Sequence, residues 1–174
     1  MSSPPESARS SDTLFAEVYD RLKAMAGRQL SSAERSTTFD TTVLVHELYL
    51  RMSANRALSF EQPGQFFSYA ARAMRHLLCD RARAHKSQRA LRWVQITLTG
   101  AHEAIVLESA EKVIALDGAL DRLAALDERA AKVIELRYFA GLTSEQAAEM
   151  LEVSKRTVDR DWTFALAFLK TDLG

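Results

Sequence analysis

The chain has 174 residues, of which 47% are hydrophobic and 26% charged, and its 23 Lys and Arg balance 23 Asp and Glu. This composition excludes a disordered chain, and the balanced charge by itself argues against a basic coat protein or an acidic tail protein. Cys79 is the single cysteine, which excludes an internal disulfide and a cysteine-based zinc site and fits a cytoplasmic location. No apolar run approaches the roughly 18 residues of a membrane span, so we expect no membrane insertion.

Helical periodicity dominates the N-terminal half. Residues 1–12 are polar and contain two prolines, which indicates a short disordered lead. Apolar residues then recur at intervals of three or four and predict helices over 13–30, 41–53 and 65–90, with a loop over 54–64 that ends in Pro-Gly. Because glycine and proline are scarce and no alternating strand pattern is present, the predicted fold class is all-α.

The periodicity stops between residues 91 and 111. This segment is rich in β-branched residues and contains one glycine, so it is predicted to be a flexible linker. The sequence therefore predicts two small helical domains, residues 13–90 and 112–174. Within the second domain the helices are predicted at 112–125, 128–140, 144–151 and 155–170.

The net charge of zero conceals an uneven distribution of charge along the chain. Residues 1–65 carry a net charge of −1, residues 66–92 carry +6, and residues 93–174 carry −5. The cationic segment is consistent with a surface that binds phosphates. A solvated basic helix face explains the charge equally well, so charge alone leaves both interpretations open.

The sharpest local pattern is a helix-turn-helix at about residues 143–170. Thr143 and Gln146 have the spacing of a capping box, Ser154 can cap the next helix, and Val158 is predicted to point inward. Glu152 occupies a turn position where glycine is common, and a left-handed residue there would cost about 1 kcal/mol. The alternative is an ordinary helical hairpin.

In a helix-turn-helix the second helix enters the major groove, and its first turns reach the base edges. Asp159 and Asp161 put negative charge on this helix and are predicted either to orient Arg160 or to face away from DNA. The residues predicted to reach the DNA are Ser154, Lys155, Arg156, Thr157 and Arg160.

Several segments in order resemble a known family. The resemblance is to sigma-70-family factors that keep only regions 2 and 4, the extracytoplasmic-function (ECF) type, and it covers about residues 13–172. The segments that resemble region 2 are His46–Arg51 (HELYLR) and Phe66–Arg83, and those that resemble region 4 are Leu126–Arg129 (LDER), Val133–Thr143 (VIELRYFAGLT), Ala147–Ala148 and Thr157–Val158.

The resemblance implies a transcription initiation factor that binds core RNA polymerase and directs it to promoters. Region 2 would bind the β′ clamp helices through Asp40, Glu47, Leu48 and Arg51. Region 4 would read the −35 element and contact the β flap. Region 2 would also bind and help open the −10 element, through Asn55, Arg56, Phe60, Arg72, Arg75, His76 and Arg83.

The sequence departs from the family at the start of region 2.2. Many members have an acidic Asp-Ala-Glu-Asp cluster there, whereas this chain has Asp40, Thr41, Thr42 and Val43. One interpretation is simple helix capping. The other is that phosphorylation of Thr41 or Thr42 supplies the missing negative charge, because a phosphothreonine carries about −1.5 to −2 and is favoured at a helix N-terminus. A Ser/Thr kinase or an anti-sigma factor is therefore an expected partner.

Two other functions stay open at this stage. A helix-turn-helix regulator that never joins polymerase would bind duplex DNA tightly by itself, whereas a sigma factor should bind its promoter poorly without core enzyme. A helical protein-interaction module would not need the basic residues. An enzyme is not expected, since the sequence has no Gly-rich phosphate loop, no HExxH motif and no metal-ligand spacing, and no cofactor or metal site is predicted.

Overall fold

A computed structural model describes residues 9–10, 16, 41–55, 58–87, 96–99 and 104–174. Helices make up most of this part of the chain, which confirms the all-α fold class. The helix predicted over 13–30 lies outside the described residues except for Ala16, which is helical. Asp40 and Arg56 lie outside them as well.

The N-terminal half contributes two described helices. Helix α1 spans Thr41–Ala54 and helix α2 spans Pro63–Ser87. Helix α2 begins inside the segment that the Pro-Gly pair led us to predict as loop. The reason is that a proline suits the first position of a helix, where its fixed φ is already helical and its missing N–H would have no helical partner.

Two short antiparallel strand pairs differ from the prediction. Strand β1, Arg9–Ser10, pairs with β2, Ser59–Phe60, although residues 1–12 were predicted to be disordered. Strand β3, Ile96–Thr99, pairs with β4, Ala104–Leu107, inside the predicted flexible linker. These last two strands consist of β-branched and apolar residues around a short connection, which is the composition of a hairpin. The prediction of an irregular linker is therefore wrong for them.

The C-terminal half contains consecutive helices whose first residues are capped by side chains. Ser109 and Asp127 cap the first two through their side chains, and Thr143 and Ser154 cap the last two. The helix predicted over 128–140 is an α-helix that widens into a π-helical turn. The elements are α3 (Ala110–Leu126), α4 (Glu128–Ile134), the π-helical turn (Glu135–Phe139), α5 (Ser144–Leu151) and α6 (Lys155–Leu173).

Buried side chains of the two halves form one hydrophobic cluster. Its N-terminal members include Leu48 of α1 and Phe66 and Met74 of α2, and its C-terminal members include Leu120 of α3 and Leu169 of α6. Helix α2 packs mainly on α3 and on the π-helical turn. Among the residues that the structure describes, no helix combines the length and hydropathy of a membrane span.

Candidate nucleic-acid interface

The capping box predicted at Thr143 is present. The backbone N–H of Gln146 donates to Thr143 Oγ1 at 3.2 Å, and the Thr143 N–H donates to Gln146 Oε1 at 3.0 Å. The two bonds satisfy two backbone donors that a helix start otherwise leaves unpaired. Helix α5 consequently begins and ends at the predicted residues, 144 and 151.

The turn between α5 and α6 depends on a left-handed residue. Glu152 has φ 55° and ψ 40°, and it is the single non-glycine residue with positive φ in the described part of the chain. Its N–H donates to the carbonyls at the end of α5, and the N–H of Val153 donates to the Ala148 carbonyl at 3.0 Å. These bonds complete the last turn of α5 and offset the left-handed strain, which costs about 1 kcal/mol for a residue with a Cβ.

Small and apolar residues bring α5 and α6 together. Ala147, Ala148 and Val158 are buried, which confirms that Val158 points inward. Ser154 caps α6 by accepting a hydrogen bond from the Thr157 N–H at 3.1 Å. The first turn of α6 is thereby fixed in direction, with its outer face turned to solvent.

The outer face of α6 presents most of the residues predicted to reach DNA. Ser154, Lys155, Arg156 and Arg160 are exposed, and Thr157 is half-buried. Lys155 Nζ lies 3.3 Å from Asp159 Oδ2 and 3.5 Å from Glu145 Oε1. Hydrogen bonding to Asp159 raises the pKa of Lys155, so this cation is partly neutralised within the protein.

The structure shows what Asp159 and Asp161 contact, and Arg160 Nη2 lies 3.8 Å from Asp161 Oδ1. Asp161 is buried and accepts a hydrogen bond from Arg129 Nε at 2.5 Å, so it faces the protein interior. Hydrogen bonding to Ser144 lowers the pKa of Asp159, and its carboxylate also accepts from Lys155. Both acids are therefore used in contacts between elements of the C-terminal half.

Arg137, which was not singled out from the sequence, is a buried cation that packs against Trp162 of α6. The guanidinium of Arg137, in the π-helical turn, lies 3.9 Å from the ring centroid of Trp162, and that ring is 4.8 Å from Tyr138. Burial lowers the pKa of Arg137. Such a stacked, desolvated cation is stabilised by the aromatic face. The signal that could have found it is an Arg inside an otherwise apolar run.

Four predicted −10 residues are accessible in the N-terminal half. Asn55 is exposed just after α1, and Arg72 and His76 are exposed on α2. Arg83 is half exposed and pairs with Asp117 Oδ2 at 3.3 Å.

Phe60 is a correction to the predicted site. Its side chain is buried and makes an edge contact with Phe66, with 5.4 Å between ring centroids, and a tilted contact with Tyr69 at 5.8 Å. Strand β2 alternates an exposed Ser59 with a buried Phe60, so the aromatic side chain points into the core. In this arrangement it cannot stack on an extruded base.

Arg75 is a second correction, since only 2% of it is exposed. Its Nε donates to Asp117 Oδ1 at 2.7 Å, its Nη1 to Glu135 Oε1 at 2.9 Å and its Nη2 to Asp121 Oδ1 at 2.6 Å. Burial by itself lowers the pKa of Arg75, but the hydrogen bonds to Asp121 and Glu135 and the charge of Asp117 outweigh it and raise the pKa. The guanidinium is thus held inside the protein and is not accessible to DNA in this arrangement.

The predicted polymerase-binding residues, like the predicted −10 residues, include both buried and accessible side chains. Leu48 is fully buried, so its assignment to a polymerase surface is wrong for this arrangement. Glu47 accepts from Arg51 at 3.2 Å and from Arg81 at 2.6 Å, and Arg51 also donates to Asp80 at 3.0 Å.

The outer surface of α1 has one feature that the sequence did not reveal. Leu50 is 53% exposed, so α1 presents a large apolar side chain to solvent. Thr41 and Thr42 begin α1, and their side chains lie outside the described part of the structure. In the described ranges no group of three or more His, Cys, Asp or Glu is placed to hold a metal ion.

The chain matches a known protein family. The family described as ECF sigma factor matches residues 6–174, almost the whole chain. Separate comparisons with curated proteins and with solved structures found no match.

Proposed function

The chain belongs to the ECF sigma factor family, whose members direct RNA polymerase to promoters, and we propose that it does so by reading the −10 and −35 elements in the bacterial cytoplasm. The observation that carries the proposal is the capped helix-turn-helix, which holds Arg156 and Arg160 exposed at the start of α6. A helix presented in this way fits the major groove.

The −35 element is the proposed target of α6. Arg side chains recognise guanine edges with two parallel hydrogen bonds, and Arg156 and Arg160 have the exposure that this requires. Lys155 is the proposed phosphate contact, since it would exchange Asp159 and Glu145 for a DNA phosphate. Because the two internal ion pairs are lost in this exchange, the net gain in binding free energy is smaller. This is consistent with weak DNA binding by the protein alone.

The −10 element is the proposed target of α2 and of the end of α1. Arg72 and His76 lie one helical turn apart and are both exposed, so they can contact one strand together. Asn55 and Arg83 are the further exposed candidates of the N-terminal half. Neutralising phosphates with Arg72 and Arg83 releases counterions, so we expect the binding to weaken as the salt concentration rises.

Core polymerase is proposed to bind α1. The exposed Leu50 beside the Glu47 and Arg51 ion pairs provides an apolar contact with charged neighbours, which suits a protein partner. The β′ clamp helices are the proposed partner of this surface, and the β flap is the proposed partner of the C-terminal half.

Phosphorylation of Thr41 or Thr42 is the proposed switch. Helix α1 begins at Thr41 and has no acidic residue in its first turn, and Asp40 just before it is the single acid where many members have an acidic cluster. A phosphate would supply that anion and add a contact for polymerase. A kinase would then control the protein, and an anti-sigma factor is the alternative regulator.

The switch is tested by measuring core-polymerase affinity before and after kinase treatment. We expect the phosphorylated protein to bind more tightly and the Thr41→Val and Thr42→Val variants to identify the modified residue. Equal affinities would contradict the switch. A Thr→Glu variant is a weaker test, because Glu adds a single charge where a phosphate adds about −1.5 to −2.

The sigma-factor function itself is tested by run-off transcription with core polymerase and a genomic promoter library, with and without kinase. We expect transcripts that depend on this protein. Tight duplex binding without core, and no transcript in either state, would instead support a helix-turn-helix regulator that works apart from polymerase.

A further inference from the structure

Arg160 and Asp161 are consecutive residues of α6 that lie in different surroundings. The side chain of Arg160 is 72% exposed, whereas that of Asp161 is 5% exposed. Arg160 Nη2 lies 3.8 Å from Asp161 Oδ1, which is close enough for electrostatic attraction but too long for a hydrogen bond. The arginine proposed to read the −35 element therefore stands within reach of a carboxylate that could draw it away from DNA.

Arg129, at the start of α4, occupies that carboxylate. Its Nε donates to Asp161 Oδ2 at 2.5 Å and its Nη2 donates to Asp161 Oδ1 at 3.3 Å, so one guanidinium bonds both oxygens. Such paired bonds between arginine and a carboxylate are strong and fix the geometry of both groups. The helix start that carries Arg129 is itself fixed, because the Ala130 N–H donates to Asp127 Oδ1 at 3.0 Å.

Lys155 shows how a cation of the same helix behaves when its acid is not held by an arginine. In the described part of the chain Asp159 has no arginine among its ion pairs, and Lys155 Nζ lies 3.3 Å from its Oδ2. The attraction between two charges grows as they approach and as water is excluded. We therefore expect Arg160 to close on Asp161 in the same way when Arg129 is removed.

We propose that Arg129 is a positioning residue for recognition of the −35 element, which holds both oxygens of Asp161 and thereby keeps Arg160 free to reach a base edge. The proposal rests on the function proposed above. An arginine that reads guanine must direct two N–H groups at the base, so it cannot be engaged by a carboxylate at the same time. Base preference thus depends on a residue that need not touch the base.

The first test measures binding of the polymerase complex to promoters that differ at single −35 base pairs. In Arg129→Gln we expect Arg160 to turn to Asp161, so the affinity for the preferred promoter should fall about five- to tenfold. The preference should be lost at the base pair where Arg160→Ala abolishes it. Adding Asp161→Asn to Arg129→Gln should restore the preference, because the competing charge is then gone.

The matched control is a second Arg–Asp pair that joins an earlier helix to α6. Arg122 of α3 bonds both carboxylate oxygens of Asp172, with 3.1 Å between Nε and Oδ1. Asp172 lies about 18 Å beyond Arg160 along the helix axis. We expect Arg122→Gln, with and without Asp172→Asn, to keep the wild-type base preference.

Arg129→Lys tests whether both bonds are needed, and it replaces Arg129→Gln if that variant does not fold. Lysine keeps the charge but cannot donate the two parallel bonds of a guanidinium, so we expect a smaller loss of about two- to threefold at the same base pair. Circular dichroism checks that each variant keeps its helix content. The wild-type preference in Arg129→Lys would overturn the proposal.

Two results with folded Arg129→Gln would also overturn it. The first is an equal loss of affinity on all promoter sequences that Asp161→Asn does not restore. That result would make Arg129, whose side chain is 43% exposed, a phosphate contact of its own. The second is an unchanged base preference, which would show that Asp161 does not attract Arg160.

Thermal unfolding of the protein alone separates this proposal from the proposed function. In the wild-type chain Arg160→Ala should leave the Tm unchanged, because Arg160 makes no hydrogen bond with Asp161. In Arg129→Gln, where Arg160 has become the partner of Asp161, the same substitution should lower the Tm by about 2–4 °C. Equal Tm shifts in the two backgrounds would overturn the proposal. If no polymerase complex binds a promoter, the proposed function fails, while the Tm shifts still decide whether Arg129 keeps Asp161 from Arg160.

Discussion

The two proposed DNA-binding helices differ in how much of their chemistry they present. Helix α6 holds Arg156 and Arg160 in solvent, and its acids are turned to internal partners. Helix α2 exposes Arg72 and His76 and encloses Arg75 among carboxylates from the other half. The difference teaches that a basic residue on a predicted DNA-binding helix can be an internal ion-pair partner, and that only long-range packing decides which.

The strongest way to break this comparison is to remove Arg75. Arg75→Ala leaves the partly buried carboxylate of Glu135 without its cation and leaves Asp117 with Arg83 alone, and losing one partner of a buried ion pair costs about 3–5 kcal/mol. We expect that loss in the free energy of unfolding, measured with denaturant. The control is Arg72→Ala on the exposed face of the same helix, with a cost below about 0.5 kcal/mol.

A second variant combines Arg75→Met with Asp117→Asn, Asp121→Asn and Glu135→Gln, which neutralise its three partners. We expect most of the unfolding free energy to be restored, because no buried charge is then left without a partner. Equal losses for Arg75→Ala and Arg72→Ala would show that the two arginines are alike, contrary to the structure.

On α6, replacing an arginine by alanine should weaken promoter binding rather than lower the free energy of unfolding. Arg156→Ala or Arg160→Ala is expected to cost about 1–3 kcal/mol of promoter binding by the polymerase complex and to relax specificity in the −35 element. Filter binding or band-shift titration on wild-type and mutated promoters measures both. Lys170→Ala, at the far end of the same helix, should leave both unchanged. An equal loss of affinity on all promoter sequences would show that these arginines contact phosphates and not base edges.

A pH titration examines the packing of α2 against α3, where Cys79 lies among Leu116, Asp117 and Leu120. Burial raises the pKa of Cys79 from 9.0 to about 12, so the protonated thiol is favoured in the folded state. Its contribution is complete below pH 9 and is lost as the pH rises towards 12, by at most about 1.4 kcal/mol per pH unit. The difference in unfolding free energy between wild type and Cys79→Ala should therefore shrink from pH 9 to 10.5. A constant difference would contradict the burial of the thiol.

The smallest expected effect is at the turn before α6. Glu152→Gly should stabilise the protein by up to about 1 kcal/mol, because glycine adopts positive φ without strain. Glu149→Gly, in the helix just before it, should destabilise by about as much. Thermal unfolding of the two variants should thus give shifts of opposite sign, and shifts of the same sign would exclude the left-handed turn.

Features that depend on residues close together in the sequence were predicted correctly more often than features that depend on residues far apart. Helix α5 and its caps depend on residues three or four apart, so Thr143, Gln146 and Ser154 predicted them correctly. The start of α2 was missed because Pro63 suits both a loop and a first helical turn. The strands β3 and β4 were missed because each has only four residues.

The errors in the site have a different origin. Leu48 and Phe60 lie in segments where the family resemblance points to partner-binding surfaces, and their burial depends on packing against distant parts of the chain. Arg75 finds its carboxylates 42 to 60 residues away, which no local pattern can show. The π-helical turn at Glu135–Phe139 lies inside the segment 128–140, which was predicted as one ordinary α-helix.

That π-helical turn has a consequence for how the two proposed DNA-binding helices are connected. Glu135 and Arg137 are two residues apart and so lie on opposite sides of the same turn, one bonded to Arg75 and the other stacked on Trp162. A change in the surroundings of Arg75 on α2 is therefore expected to reach Trp162 on α6 through this one turn, so that the packing of α2 and the support of α6 are mechanically coupled.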